Sequence, residues 1–185
     1  MVHPNVGAGA GAGAGQDGRW RAGTPGRLHV LSCPPPLCPH VEFAAAAVLA
    51  TPVSLVWTAQ PEVAGALQAV LDFSAPTGTV GMLAARLRRL GAVRFDAVEG
   101  PAAGVDAERY SFDPDLGLHH AGVAANGDVV VAEGPLRALL AATVGEPGAL
   151  AHGLERLLGV AWDAALEPLR AGGEGAPVSW LRRTG

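Results

Sequence analysis

The chain reads as an α+β fold: a ferredoxin-like βαββαβ unit extended by a β-hairpin region and C-terminal helices. Three observations predict this. Between residues 27 and 98 the apolar pattern alternates between a period of two and a helical period in the order β-α-β-β-α-β. Asn126 and Gly127 stand between apolar runs, the strongest short hairpin signal. Leu150, Leu154, Leu157 and Leu158 then form an amphipathic stripe at helical spacing.

Residues 1–26 stand apart. The run VGAGAGAGAG carries almost nothing larger than a methyl group. It cannot bury enough surface to offset the entropy of ordering, and reads as a disordered tail. The remainder, residues 27–185, reads as a single domain, long enough to need no disulfide or metal staple.

RLHVLSC (27–33) reads as the first strand, and the stretch through VEFAAAAVLA as a helix launched at Pro39, since proline favours the first helical turn. Residues 53–60 and 66–73 read as strands. Val53, Leu55 and Trp57 on one, and Leu67, Ala69, Leu71 and Phe73 on the other, face the helices. Residues 79–91 form a helix, with Val80, Leu83, Ala84, Leu87 and Leu90 inward and Gly91 as its stop. Residues 93–98 complete the unit. Strands at 108–114 and 116–124 flank the DPDLG turn, and helices follow at 135–144, 147–158 and 162–170. Residues 172–185 read as a loop with one apolar anchor, VSWL.

Composition narrows the function. The net charge is −4 and the pI about 5.8, without the concentrated positive field that nucleic acid binding draws on. No apolar run is long enough to span a bilayer, and no secretory signal opens the chain. All thirteen basic residues are Arg, which fits a GC-rich genome. Two cysteines are too few for a disulfide scaffold, so a reducing cytoplasm is expected.

CPPPLCPH (33–40) holds both cysteines. Cys33, Cys38 and His40 supply three ligands where a structural zinc takes four, so no metal and no other cofactor is expected. Three prolines in an extended polyproline path hold the two sulfurs apart, which argues against a disulfide. Cys38 beside a helix start would have its thiolate stabilised by free amides and the helix dipole. That gives the alternative function: a thiol-dependent enzyme with Cys38 as nucleophile and His40 as base, needing a third group such as Glu42 or Asp72. The bland reading is a small buried hydrophobe at a corner.

The sheet face away from the helices is the other candidate. With strands in the order 4-1-3-2, His29 has Arg94 and Asp96 on one side and Gln68 and Asp72 on the other. These five residues are the expected site of a non-catalytic binding or regulatory module. Its partner is a small molecule or a protein, or a second copy in a homodimer, with no nucleic acid and no membrane. The competing structural reading has the later elements cover this face, with Arg94 and the aspartates as cross-strand pairs.

The motifs CPHVEF (38–43), WTAQP (57–61), VRF (93–95), AGVDAERY (103–110), ANGDVVV (125–131), the LG/WD/LE/R pattern over 158–170 and VSWL (178–181) carry a resemblance. Together they resemble an uncharacterised, chiefly actinobacterial family, domain of unknown function 3145, from about residue 27 to the end. The resemblance implies no activity, cofactor or catalytic residue. The family pattern has Trp where this chain has Phe43, and Cys33 is not one of its usual members. The resemblance does suggest acyl chains and acyl carrier protein among the first ligands to try.

Overall fold

The structure, a computed structural model, describes residues 23–172. Most of the Gly-Ala tail, Trp20 and the VSWL anchor lie outside the described residues. The elements in chain order are β1 (Thr24–Cys33), α1 (Cys38–Leu49), β2 (Thr58–Ala59), β3 (Leu67–Ala75), α2 (Thr79–Leu87), β4 (Arg94–Glu99), β5 (Ala107–Asp113), β6 (Gly117–Val123), β7 (Val129–Val130), α3 (Glu133–Ala142), α4 (Pro147–Leu158) and α5 (Val160–Gly172). This is a mixed α+β architecture. One antiparallel sheet runs in the order β2-β3-β1-β4-β5-β6-β7.

The core lies between the sheet and the pair α1 and α2. Leu28 and Val30 of β1, Ala69 of β3, and Phe95 and Ala97 of β4 meet Val41 and Ala45 of α1 and Val80, Leu83, Ala84 and Leu87 of α2. The period-two and period-3.6 patterns select this face because each element buries one apolar side. Two carboxylates pin the helices to it. Glu42 of α1 accepts hydrogen bonds from the Leu55 amide at 2.8 Å and the Trp57 indole at 3.1 Å. Buried Glu99 of β4 accepts from the Gly78 and Val80 amides at 2.6 and 3.4 Å, satisfying free donors at the start of α2.

Several expected details are corrected. β1 begins at Thr24, inside the stretch read as tail. The expected strand at 53–60 shrinks to Thr58–Ala59, although Val53, Leu55 and Trp57 do pack on the core as their alternation implied. Leu55 and Trp57 are held by Glu42, which fixes that segment to α1 while strand pairing with β3 is confined to Thr58 with Gln68 and Ala59 with Leu67.

The proline run is the larger correction. Pro35–Leu37 form a single 3-10 turn, closed by the Leu37 amide donating to Pro34 O at 2.9 Å, and α1 starts at Cys38 rather than Pro39. Proline fixes φ near −65°, a value shared by the 3-10 and polyproline conformations, and leaves ψ to context. A register shift in β1 between Val30 and Cys33 also turns Cys33 inward to the helix-side core, whereas Leu31 faces the opposite side of the sheet. The chain therefore doubles back instead of extending.

Candidate functional site

The sheet face away from α1 and α2 is organised by one row of paired residues. Val70 of β3, His29 of β1, Asp96 of β4, Ser111 of β5 and His119 of β6 are successive cross-strand partners. Alternation along each strand puts all five side chains on the same face. α5 lies across one end of this row. Trp162 tilts over the His119 ring with centroids 4.9 Å apart and donates its indole N–H to Gly117 O at 2.8 Å. Leu166 and Leu169 close over Leu31 in a second small core.

At the centre of the row α5 places Arg170 on Asp96. The guanidinium Nε lies 2.6 Å from Asp96 Oδ2, and Nη2 lies 3.2 Å from Oδ1. Ser111 donates its hydroxyl to Asp96 Oδ1 at 2.6 Å, and Arg109 approaches the same oxygen at 3.7 Å. Asp163 of α5 joins the network, accepting from Arg109 at 2.5 Å and from Arg170 at 3.1 Å. Burial alone would raise the Asp96 pKa, but Arg170, Arg109 and Ser111 outweigh it and hold the carboxyl below its usual value. Burial would lower the Arg170 pKa, but Asp96, Glu167 and Asp163 outweigh it and keep the guanidinium protonated, with its pKa raised. No buried side-chain N or O among the described residues lacks a hydrogen-bond partner. Asp96 and Arg170 are thus fully engaged with each other and their neighbours.

The five expected site residues separate into three groups. Asp96 is buried under α5. Arg94 pairs with Asp113 at 2.7 Å, and Asp72 with Arg27 through two contacts of 2.5 and 3.0 Å, so both serve as cross-strand ion pairs. The structure brings only His29 and Gln68 together at an opening. Of the two readings of this face, the covered one applies from Asp96 to His119, where α5 lies over the sheet.

What remains open is a cleft of about 540 Å³ beside β2, lined by His29, Val56, Thr58, Gln68, Val70 and the end of α5 at Gly172, among others. Gln68 is held there by Gln60, a buried residue whose side-chain amide also reaches Leu31 O at 2.6 Å and Leu169 O at 3.1 Å. Gln60 thereby ties β1, β3 and the last turn of α5 together. The His29 pKa is lowered, first by burial, with Arg170 and Arg27 acting in the same direction and Asp96 against them. The imidazole is therefore neutral at pH 7, able to donate from one nitrogen and accept at the other. A second cavity, between Ser111, His119 and Trp162, has about 10 Å³, room for one water.

The thiol centre differs from its expectation. Because of the 3-10 turn, Cys38 Sγ lies 3.8 Å from Cys33 Sγ, and both cysteines are free and buried. The sulfurs are in contact, not held apart. Burial, followed by the neighbouring Cys38 thiol, pushes Cys33 up to about 12. Burial likewise raises Cys38, reinforced by the Glu42 charge and only partly opposed by hydrogen bonding with Cys33. Desolvation thus disfavours the thiolate, and Cys38 fits the reading of a small buried hydrophobe at the corner rather than the alternative of an activated nucleophile. The proposed third groups are committed elsewhere, Glu42 to Leu55 and Trp57, and Asp72 to Arg27. Exposed His40 does not complete a metal centre with the two cysteines: among the described residues no three His, Cys, Asp or Glu are grouped to hold an ion.

Residues the sequence reading missed are Gln60, Arg109, Ser111, Asp163 and Arg170. Arg170 and Asp163 sit seven apart, two helical turns on one face of α5, which was the available signal for a polar seam on that helix. No helix among the described residues is long and apolar enough to cross a membrane.

Residues 27–183 match the model of a family described as "Protein of unknown function (DUF3145)", nearly the whole chain, and the protein belongs to that family. No curated protein and no solved structure matches it.

Two outcomes follow from these groups. At pH 8 a thiol reagent labels native Cys33 roughly a thousandfold more slowly than the unfolded chain, given a pKa pushed up to about 12. Rapid native labelling with a midpoint below pH 8 would restore the thiolate. For Asp96 the folded pKa lies below the ordinary 3.8. Its contribution to stability is complete above that value and is lost as pH falls through the lower folded one. Urea midpoints measured from pH 7 down to 2.5 should therefore fall less steeply below pH 4 in Asp96→Asn than in the parent; equal slopes contradict the assignment.

Proposed function

We propose that this member of the family is a non-catalytic binding module whose site is the cleft over β1 and β3. The observation that carries the reading is the unequal covering of the Val70, His29, Asp96, Ser111 and His119 row. α5 seals one end with a saturated ion-pair network, while His29 and Val70 are left at an opening of about 540 Å³. That volume falls in the range of small-molecule sites, which combine apolar walls with a few polar groups that fix orientation. Here Val56 is 82% and Val70 40% exposed, high for valines lining one cleft. The neutral His29 ring supplies the orienting group. The ligand is accordingly a small, largely apolar molecule with one hydrogen-bonding end.

The finer fold reading belongs with this proposal. A ferredoxin-like first half is supported by the succession β1, α1, β2, β3, α2, β4 and by the order β2-β3-β1-β4 within the sheet. A cytoplasmic setting suits two thiols in contact that are nonetheless free. An actinobacterial source suits a basic complement made only of Arg. The thiol-enzyme alternative loses its basis, because both sulfurs are buried and their pKa values raised.

The test uses decanoate, decanamide and decanol as probes with an apolar body and different ends. Binding of at least one is expected by calorimetry. Val70→Asp and His29→Ala should each weaken it tenfold or more, about 1.4 kcal/mol, with unfolding midpoints little changed. No binding by any probe, or binding that both variants leave intact, contradicts the reading.

A further inference from the structure

β3 carries a hydrogen-bond ladder that is filled along one side and mostly vacant along the other. Its inner edge pairs with β1 from Leu67 to Ala75, whereas its outer edge pairs with β2 at Leu67 and Gln68 alone. In an antiparallel strand, alternate residues turn both main-chain groups to the same edge. The Gln60 amide donates to Ala66 O at 2.9 Å, which sets the outward series at 66 and 68. The series continues to Val70, Asp72 and Ser74, because the register shift in the β1 ladder adds its extra residue to β1 and leaves β3 regular. Among the described residues, no strand or loop supplies main-chain hydrogen bonds to these three on the outer side. The cause is local. Glu42 holds the Leu55 amide and the Trp57 indole against α1, so residues 53–57 leave the place that a longer β2 would fill.

Val70, Asp72 and Ser74 are all exposed, and alternation puts their side chains on the face that carries the cleft. An edge of this kind is a template for an added strand. Only another extended main chain matches donors and acceptors that recur at every second residue. Asp72 selects among such strands. A second copy of β3 engaging all three residues would pair Val70 with Ser74 and set the two Asp72 carboxylates directly opposite each other, a destabilising like-charge pair. Registers shifted toward Gln68 are blocked, because Thr58 already pairs there. A cation opposite Asp72 is instead attracted, since the carboxylate keeps lone pairs beyond its two contacts with Arg27. An apolar side chain opposite Val70 would cover that valine at the cleft wall.

We propose that the outer edge of β3, from Val70 to Ser74, takes an extended segment of another protein as an additional antiparallel strand. In that segment a lysine or arginine lies opposite Asp72, and an apolar residue two positions later lies opposite Val70. The direction continues the antiparallel pairing of the sheet. This goes beyond the small-molecule reading: the edge shares Val70 with the cleft, but the ladder needs no ligand there.

The probe is a hexapeptide blocked at both ends, threonine throughout except for arginine third and leucine fifth. It is added to the full chain and followed by amide NMR shifts and hydrogen exchange. In the protein alone the Val70, Asp72 and Ser74 amides should exchange freely, while Leu71 and Phe73, turned to β1, are protected. The peptide should bind saturably and slow exchange at the three outward amides at least tenfold. Methylating the leucine nitrogen, whose N–H faces β3, should weaken binding at least tenfold. Methylating the nitrogen of the threonine before it, which faces away, should leave binding within about twofold. Exchanging the arginine and the leucine should also weaken it. Outward amides already protected in the protein alone overturn the proposal, because the chain itself or a second copy then fills the edge. An absence of binding, or equal losses from the two methylations, overturns it too. None of these readouts uses decanoate, decanamide or decanol, so failure of that series and failure of the peptide are separate results.

Discussion

The arrangement of this protein depends on one buried ion pair. Asp96 leaves water on folding, and an isolated carboxylate there would cost several kcal/mol. Arg170 meets it with two contacts, Ser111 donates a hydroxyl, and Arg109 and Asp163 complete the charge balance. Because Arg170 is on α5 and Asp96 on β4, satisfying the carboxylate fixes where α5 lies. The helix then covers Leu31, Ser111 and His119 and stops short of Val70. Which part of the sheet is closed and which stays open follows from that placement. A paired charge is a poor source of net stability compared with apolar packing of the same volume, but it is directional. Here the direction positions the helix.

On the open side a second constraint operates. Glu42 binds the Leu55 amide and the Trp57 indole, committing residues 53–57 to α1 while β2 pairs with β3 over only two residues. The apolar alternation that would have made a full strand still packs inward, but the ladder is short. The cleft lies where β2 adjoins β3, with Val56 and Val70 lining it. At the start of α1, one turn before Glu42, the β1 bulge and the 3-10 turn bring both cysteines into the core, where they fill a corner as small, polarizable hydrophobes.

Much of this was legible from the sequence. The alternation in β3 and β4 and the helical spacing in α2 named the core face, since burying one side of each element is what periodicity records, whereas β1 left its faces unclear. Asn126 and Gly127 marked the turn before β7. His29 was placed next to Asp96 on the correct face. The proline run misled because proline fixes φ and not ψ, so a 3-10 turn and an extended path look alike in sequence. Cys38 is the buried corner residue that the sequence allowed for; what alternation alone does not reveal is the bulge that turns Cys33 inward against it. The sequence allowed for later elements covering this face but did not identify Arg170 as the partner of Asp96, because the two lie 74 positions apart. No local spacing rule links the two; only the path of α5 across the sheet does.

The most direct test of the central claim is a double-mutant cycle on Asp96→Ala and Arg170→Ala, with stabilities from urea unfolding at pH 7. Removing either partner alone should cost about 3–5 kcal/mol, because the other is left charged and buried, and removing both should cost far less than the sum. Additive losses, or an Arg170→Ala change near zero, would mean that α5 is held by its apolar contacts and that the ion pair does not set its position.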